Sequence, residues 1–371
     1  MAVPADAAAP APEGIGMKVL DRYLGRVVIL ASLLALLVLL AVDLFFGFIN
    51  EIQDIGRGSY GLGDVLIYLG LSVPGRIHEL FPMAALLGTL LGLGNLAAGH
   101  ELVAIRAAGV SVGRILLGVM KAGLVLLVLA GGIGEWIAPA ADRMAQQQRS
   151  QAQSQRITHF SPYGFWARDG NLFIRIREVH PDGRLGSLEV FQLGEDGRLA
   201  SAYRARTAEH ADGRWHLQGV AGGRIGEGRL QLVQESRLQL ETLLDPALLN
   251  VVMIEPGSLS ARDLYRYVEY RRQNALETAR YELALWQRLV APFTSLVMLF
   301  LAVPFVFGPL RDRGAGQRLL VGVLVGLGYY LLSQTLSHSG QVYGLPPLLS
   351  VLAPPLLFLV WGAIQLRRVG G

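Results

Sequence analysis

Along this chain long apolar runs alternate with short polar connections, and the rhythm changes once, near the middle. Runs of crossing length occupy residues 27–49, 65–98, 115–138, 289–310, 319–336 and 346–366. A helix of about 20 apolar residues matches the hydrocarbon thickness of a bilayer, so six membrane-crossing helices are predicted. The second run is too long for one straight crossing. Pro74 and Pro82 within it predict kinks, with an outer interfacial part ahead of the crossing proper.

Between the third and fourth runs the apolar period falls from helical spacing to two. Leu172-Phe-Ile-Arg-Ile-Arg, Leu188-Glu-Val-Phe, Leu230-Gln-Leu-Val and Leu238-Gln-Leu-Glu alternate in this way. Asp-Gly pairs at Asp169, Asp182, Asp196 and Asp212 punctuate the stretch. Both residues of such a pair tolerate positive φ, which suits tight hairpins. The reading is an inserted all-β domain, an antiparallel sandwich or roll. From Ser258 helical spacing returns. Ser260-Ala-Arg-Asp263 resembles a capping box, and a charged helix then runs into the fourth span, with Trp286 and Arg288 as expected interface anchors.

The organisation expected is therefore a disordered tail over 1–16, spans one to three within 17–139, a β domain over 140–257, and over 258–371 a helix leading into spans four to six. The tail is rich in alanine and proline and lacks the basic start of a secretory signal. Met17-Lys18 is the alternative natural beginning.

Composition agrees with a membrane protein: 52% of the 371 residues are hydrophobic and 17% charged. Basic residues set the orientation. Lys18, Arg22 and Arg26 precede span one, Arg106 and Arg114 lie between spans two and three, Arg311, Arg313 and Arg318 between four and five, and Arg367 and Arg368 after six. The alternate short connections carry only Arg57. Both termini and the segment near 100–112 are expected to be cytoplasmic, and the β domain exported. There is no cysteine, so no disulfide framework or thiolate chemistry is available. Lysine occurs only at Lys18 and Lys121, and neither follows a glycine, so no P-loop can be drawn. An ATP-driven version of this protein needs a partner to hydrolyse the ATP.

The segment His100–Ile115 is short and amphipathic. Helical spacing puts Leu102, Ile105 and Val110 near one side and Glu101, Arg106 and Gly109 toward others. Two readings stand: an ordinary interfacial loop, or a handle by which a soluble motor grips the membrane part. Other patterns lead nowhere. Gly56-Arg-Gly58-Ser-Tyr-Gly61 follows a membrane span instead of a buried strand and reads as a glycine-rich external turn. His78-Glu79 and His100-Glu101 lack the second histidine of a zinc-protease motif. No nucleophilic grouping can be assembled, so no enzyme, metal or cofactor is implied. Gly88-x-x-x-Gly92 and Gly322-x-x-x-Gly326 permit close helix approach, within the chain or at a subunit seam. Arg76, in the outer part of span two, could hold a lipid phosphate or pair with Glu79.

Seven stretches carry a specific resemblance: Leu20-Asp-Arg-Tyr-Leu-Gly, Gly58-Ser-Tyr60, Ser72-Val-Pro, Phe81-Pro-Met-Ala-Ala-Leu-Leu-Gly, Glu101-Leu-Val-Ala-Ile-Arg-Ala-Ala-Gly, Gly134-Glu-Trp-Ile-Ala-Pro and Phe307-Gly-Pro-Leu-Arg. With them the chain resembles the YjgP/YjgQ permease family of lipopolysaccharide exporters, from Met17 to Arg368. The last two pieces favour one of its branches over the other, LptF. The resemblance implies a jellyroll-like periplasmic β domain and an inner-membrane complex with an LptF-like second permease and a dimer of LptB-like ATPase. It further implies an LptC-like single-span protein and an LptA-like periplasmic bridge. The segment from Glu101 becomes the coupling helix, with Glu101 the main acidic contact and Leu102, Ile105, Arg106 and Gly109 part of its surface.

For lipopolysaccharide, a large anionic glycolipid, the apolar wall is expected from Phe45, Phe46, Phe81 and Tyr329, and phosphate contacts from Arg76, Arg143 and Arg149. Relatives place lysines near the outer end of span one. This chain has Gly47, Glu51 and Asp54 there, so its phosphate contacts must come from elsewhere. An LptF-type permease, an ion-coupled secondary transporter and a non-transporting membrane adaptor are the alternatives. An ion-coupled transporter would want ionisable groups near the midplane of repeated halves, and the spans are nearly free of charge there.

Overall fold

The computed structural model describes residues 13–153, 165–179, 184–194, 196–211, 214–226, 229–240, 256–274, 276–308 and 314–370. Helices α1 (Glu13–Ile52), α2 (Leu62–Ala98), α3 (Glu101–Ala107) and α4 (Val112–Gly132) come first, and a π-helical turn, Ile133–Ile137, joins α4 to α5 (Ala138–Ala152). Six strands follow: β1 (Phe165–Asp169), β2 (Leu172–Val179), β3 (Leu185–Leu193), β4 (Leu199–Ala211), β5 (Arg214–Gly226) and β6 (Arg229–Leu240). Then come α6 (Ala261–Gln273), α7 (Ala279–Phe307), α8 (Ala315–Tyr343) and α9 (Pro347–Gly370). Among the described residues six helical stretches are long and apolar enough to cross a membrane, and the antiparallel sheet is inserted between the third and fourth. Residues 13–16, expected in the tail, are already helical, while the rest of that tail lies outside the described residues. At 40 residues α1 is about 60 Å long, twice the hydrocarbon thickness, so it extends beyond the apolar layer. Pro74 and Pro82 both lie inside the unbroken α2.

The chain divides into two compact units. One holds the chain through Phe45, Pro74–Glu135 and the chain from Trp286; the other holds Phe46–Val73 and Trp136–Leu285. The first unit is organised by a core in which Leu24 and Val28 of α1, Leu86 and Leu90 of α2, Val119 of α4 and Leu299 of α7 are buried together. Small residues let these helices approach. A Cβ on Gly88 would stand 2.2 Å from the Ser32 Cα, and one on Gly92 3.2 Å from Ala31 and Val27. Gly322 meets Leu87 and Leu90, and Gly326 meets Met83. Both Gly-x-x-x-Gly pairs therefore serve packing inside the chain, α2 on α1 and α8 on α2. Leu30, Leu34 and Leu37 of α1 and Leu319, Leu324 and Leu331 of α8 stay exposed, apolar surface that needs lipid or another helix against it.

The second unit contains the sheet, a meander in the order β1-β2-β3-β4-β5-β6. Pairing of Asp169 with Leu172 leaves a two-residue hairpin in which Gly170 takes φ 56°, as the first Asp-Gly pair requires. Gly197 turns β3 into β4 with φ 74°. The pairs at Asp182 and Asp212 lie outside the described residues, between β2 and β3 and between β4 and β5. The two short runs near 230 and 238 form one strand, β6. Ile174, Ile176, Leu188, Val190, Tyr203, Ala205 and Val220 fill the inner face. Farther along, Leu185, Ala208 and Leu217 face inward instead, a switch of parity at Ser187 (φ 50°) and Gly219 (φ 64°).

Helix α6 is capped as expected, with the Ser260 hydroxyl accepting from the Asp263 amide at 3.1 Å. It is tied to the first hairpin: the Tyr270 hydroxyl donates to the Arg168 carbonyl, and Asn274 accepts from the Gly170 amide. Burial pushes the Tyr267 hydroxyl of the same helix above the usual phenol range.

Candidate functional site

The segment after α2 reverses direction at His100, which takes a left-handed conformation (φ 63°) before α3 begins. Gly109, at φ 88°, turns the chain again, and the Ser111 hydroxyl caps α4 by accepting from the Arg114 amide. Leu102 is buried in the core of the first unit, with Ile105 and Val110 packed against it. Glu101, Val103, Arg106 and Gly109 are exposed. One face of α3 is thus anchored and the other offered outward, as its amphipathic spacing requires. Beside it lies a cavity of about 350 Å³, bordered by Leu102, Val103 and Arg106, by Ala97 of α2, and by Val306 and Phe307 of α7.

Polar contacts flank this helix. The Tyr23 hydroxyl of α1 donates to Glu101 Oε2 at 2.5 Å. Asp21, one helical half-turn earlier, pairs with Arg114 at 2.7 Å and with Lys121 at 2.9 Å, both from α4. The start of α1 is therefore linked to the helices on either side of the Gly109 turn. Sequence reasoning missed Asp21 and Tyr23 as partners, although both lie in the Leu20-Asp-Arg-Tyr-Leu-Gly stretch. The available signal was a lone carboxylate among the basic residues that precede span one.

The residues expected to meet lipid are distributed over both units. Phe45, Arg76, Phe81 and Tyr329 belong to the first, and Phe46, Arg143 and Arg149 to the second. Phe45 and Phe46 are each 60% exposed. Phe81, in contrast, is buried in the interhelix core of the first unit. Tyr329 is half-buried; its hydroxyl lies 3.2 Å from Thr294 Oγ1 and its ring meets Phe358 edge-on.

All three basic candidates have carboxylate partners. Arg76 pairs with Asp43 of α1, where the sequence reading weighed Glu79 or a phosphate. Arg143 pairs with Asp263 at 2.7 Å. Arg149 is held at 2.6 Å by Asp54 and 3.2 Å by Glu51, with its guanidinium over the Tyr68 ring. Tyr60 donates to Glu51 at 3.0 Å, and burial, then this bond, pushes its hydroxyl well above the usual phenol range. The bond from Arg149 holds the Asp54 carboxyl below the ordinary carboxylate range. Glu51 and Asp54, the acidic departure at the end of span one, are thus the counter-charges of Arg149. The intervening turn has Gly56 and Gly58 at positive φ, as its glycine content predicts.

A further group was missed. Arg288, expected as an interface anchor, is only 10% exposed in its side chain; it donates to Glu135 at 3.1 Å and to the Gly134 carbonyl. A charge in this apolar environment requires such partners, which overrides the anchor position. The π turn leaves this carbonyl available: in the i→i+5 register the partner of the Gly134 carbonyl is residue 139, and Pro139 has no amide hydrogen.

The model of the family described as "Lipopolysaccharide export system permease LptF/LptG" matches residues 22–368. A Haemophilus influenzae protein described as lipopolysaccharide export system permease protein LptG is 33% identical over 353 residues, covering 94% of this chain and 99% of its own length. The Escherichia coli K12 protein of the same description is 35% identical over 356 residues, covering 94% and 98%. On the match along nearly its whole length, this chain belongs to the LptF/LptG family of lipopolysaccharide export system permeases.

Proposed function

We propose that this chain is an LptG-type permease subunit that moves lipopolysaccharide out of the outer leaflet of a Gram-negative inner membrane toward a periplasmic bridge. The observation that carries the reading is α3, anchored through Leu102 and presenting Glu101 and Arg106 outward between the second and third membrane helices. An LptB-like ATPase dimer grips α3, an LptF-like permease completes the lipid cavity, and LptC-like and LptA-like proteins receive the cargo. Both termini and α3 are cytoplasmic, and the β domain over 140–257 is periplasmic, in keeping with the placement of basic residues.

Force enters at α3. Closure of the ATPase displaces Glu101 and Arg106, and the buried Leu102 transmits that displacement into the core it shares with α1, α4 and α7. The Tyr23 bond draws the start of α1 along. The cavity then narrows and the glycolipid leaves toward the β domain, whose apolar inner face shields acyl chains at ~0.8 kcal/mol per CH₂ kept from water. Phe45 and Phe46 supply apolar wall. Arg76, Arg143 and Arg149 meet phosphates by exchanging a carboxylate for a phosphate, which offers more acceptor oxygens and more charge.

Affinity purification of the full chain in mild detergent tests the assembly. The expected result is recovery of an ATPase and a second six-span permease in fixed ratio. Recovery of the chain alone, under conditions that keep its melting transition intact, contradicts it.

A further inference from the structure

The outer face of the sheet carries a charge imbalance that sheet stability does not require. In the paired row Trp166–Arg175–Glu189–Arg204, running across β1 to β4, a single carboxylate serves three guanidiniums. Glu189 accepts from Arg175 at 3.2 Å, from Arg177 at 2.9 Å and from Arg204 at 3.3 Å. Arg168 shares this face by register, two rows away beside Phe173, and Arg206, two residues beyond Arg204 on β4, is exposed. Farther along, Arg184 pairs with Glu209 at 3.8 Å. Like charges so close repel, and a fold gains nothing from the surplus.

The surplus is accessible. The Arg204 side chain is 66% exposed and that of Arg177 40%. A guanidinium has five donors in a planar fork, and Arg177 and Arg204 each reach Glu189 through a terminal nitrogen. Aromatic surface adjoins them. Trp166, half exposed, stacks on Phe191, and Arg175 lies over its ring. Phosphate suits the forked donors, and a flat indole beside them suits the apolar face of a sugar ring.

We propose that this outer face of β1–β4 binds the phosphorylated saccharide part of lipopolysaccharide, with Arg177, Arg204 and Arg206 holding phosphate and Trp166 against a sugar ring. The proposal takes its ligand from the export reading above. It places a saccharide contact on the face opposite the apolar one, so acyl chains and head group are received on different sides of the same sheet.

The test uses the full-length chain in detergent and, as probe, lipopolysaccharide saccharide freed of its acyl chains with its phosphates retained. The double variant Arg177→Gln/Arg204→Gln is expected to bind at least tenfold more weakly. Glu189→Gln, which removes the competing carboxylate, is expected to bind more tightly, so a loss through misfolding is separated from a loss of donors. The dephosphorylated saccharide should bind poorly to all of them. Equal binding by the double variant, equal binding of the dephosphorylated saccharide, or a preference for a polyglutamate peptide overturns the proposal, the last marking a protein-docking surface instead. ATP-driven release by the reconstituted wild-type complex tests the export reading separately, and Glu101→Arg should leave saccharide binding unchanged.

Discussion

The α3 segment and the Arg149 cluster both place charge at the end of a membrane helix, yet they are built in opposite ways. At α3 the helix is fixed by one buried leucine and by partly buried Ile105, while its charges are exposed and Glu101 is joined to the chain by a tyrosine hydroxyl. At Arg149 two carboxylates, a ring face and a second tyrosine converge, and Glu51 is nearly buried. The first arrangement leaves charged groups available to a partner and is held by packing. The second satisfies charge within the chain. The difference separates an outward charged surface, the one proposed to meet the ATPase, from a joint that holds α5 to the end of α1.

Leu102→Asp carries the largest expected effect. It puts a charge into the core that anchors α3 and should abolish ATP-driven release, measured in vesicles, with loss of ATPase copurification. Arg149→Ala comes next. It leaves Glu51 without its cation, at a cost of about 1–3 kcal/mol for an unsatisfied, nearly buried group, and should lower the melting temperature while ATPase copurification persists. Tyr23→Phe removes only the hydroxyl bond to Glu101 and should change ATPase association by roughly threefold or less, as for an exposed interaction.

The smallest effect is on pH dependence. Because the Asp54 carboxyl titrates below its ordinary value, its contribution to stability is complete above the unfolded value of 3.8 and is lost as pH falls through the lower folded value. The difference in melting temperature between wild type and Asp54→Asn should be constant from about pH 7 to pH 5 and close below about pH 4.

How much of this was legible in the sequence depends on the distance over which its signal acts. The spans and α3 are local patterns of apolar spacing, and Leu102, Ile105 and Val110 pack inward as that spacing predicts. Strands β4 and β5 escaped notice because their buried positions include Ser201, Ala205, Ala208 and Gly223, too small to mark an alternation. Phe81 and Phe45 are the same residue type on neighbouring helices, and only the packing of α2 distinguishes the buried ring from the exposed one. The ion pairs were out of reach. Arg76–Asp43, Arg149–Asp54, Arg143–Asp263 and Arg288–Glu135 are separated by 33, 95, 120 and 153 residues, and no local pattern links such partners. The arginines could be named as candidates from the sequence, but not their state.

Whether α3 receives the motor's force is decided by Glu101→Arg in vesicles holding this chain with its ATPase and second permease. ATP-dependent transfer of lipopolysaccharide to a periplasmic acceptor is expected to fall at least tenfold and the ATPase to be lost on purification, with the helical content and melting temperature of the chain unchanged. Transfer and ATPase retention equal to wild type would contradict this role of α3.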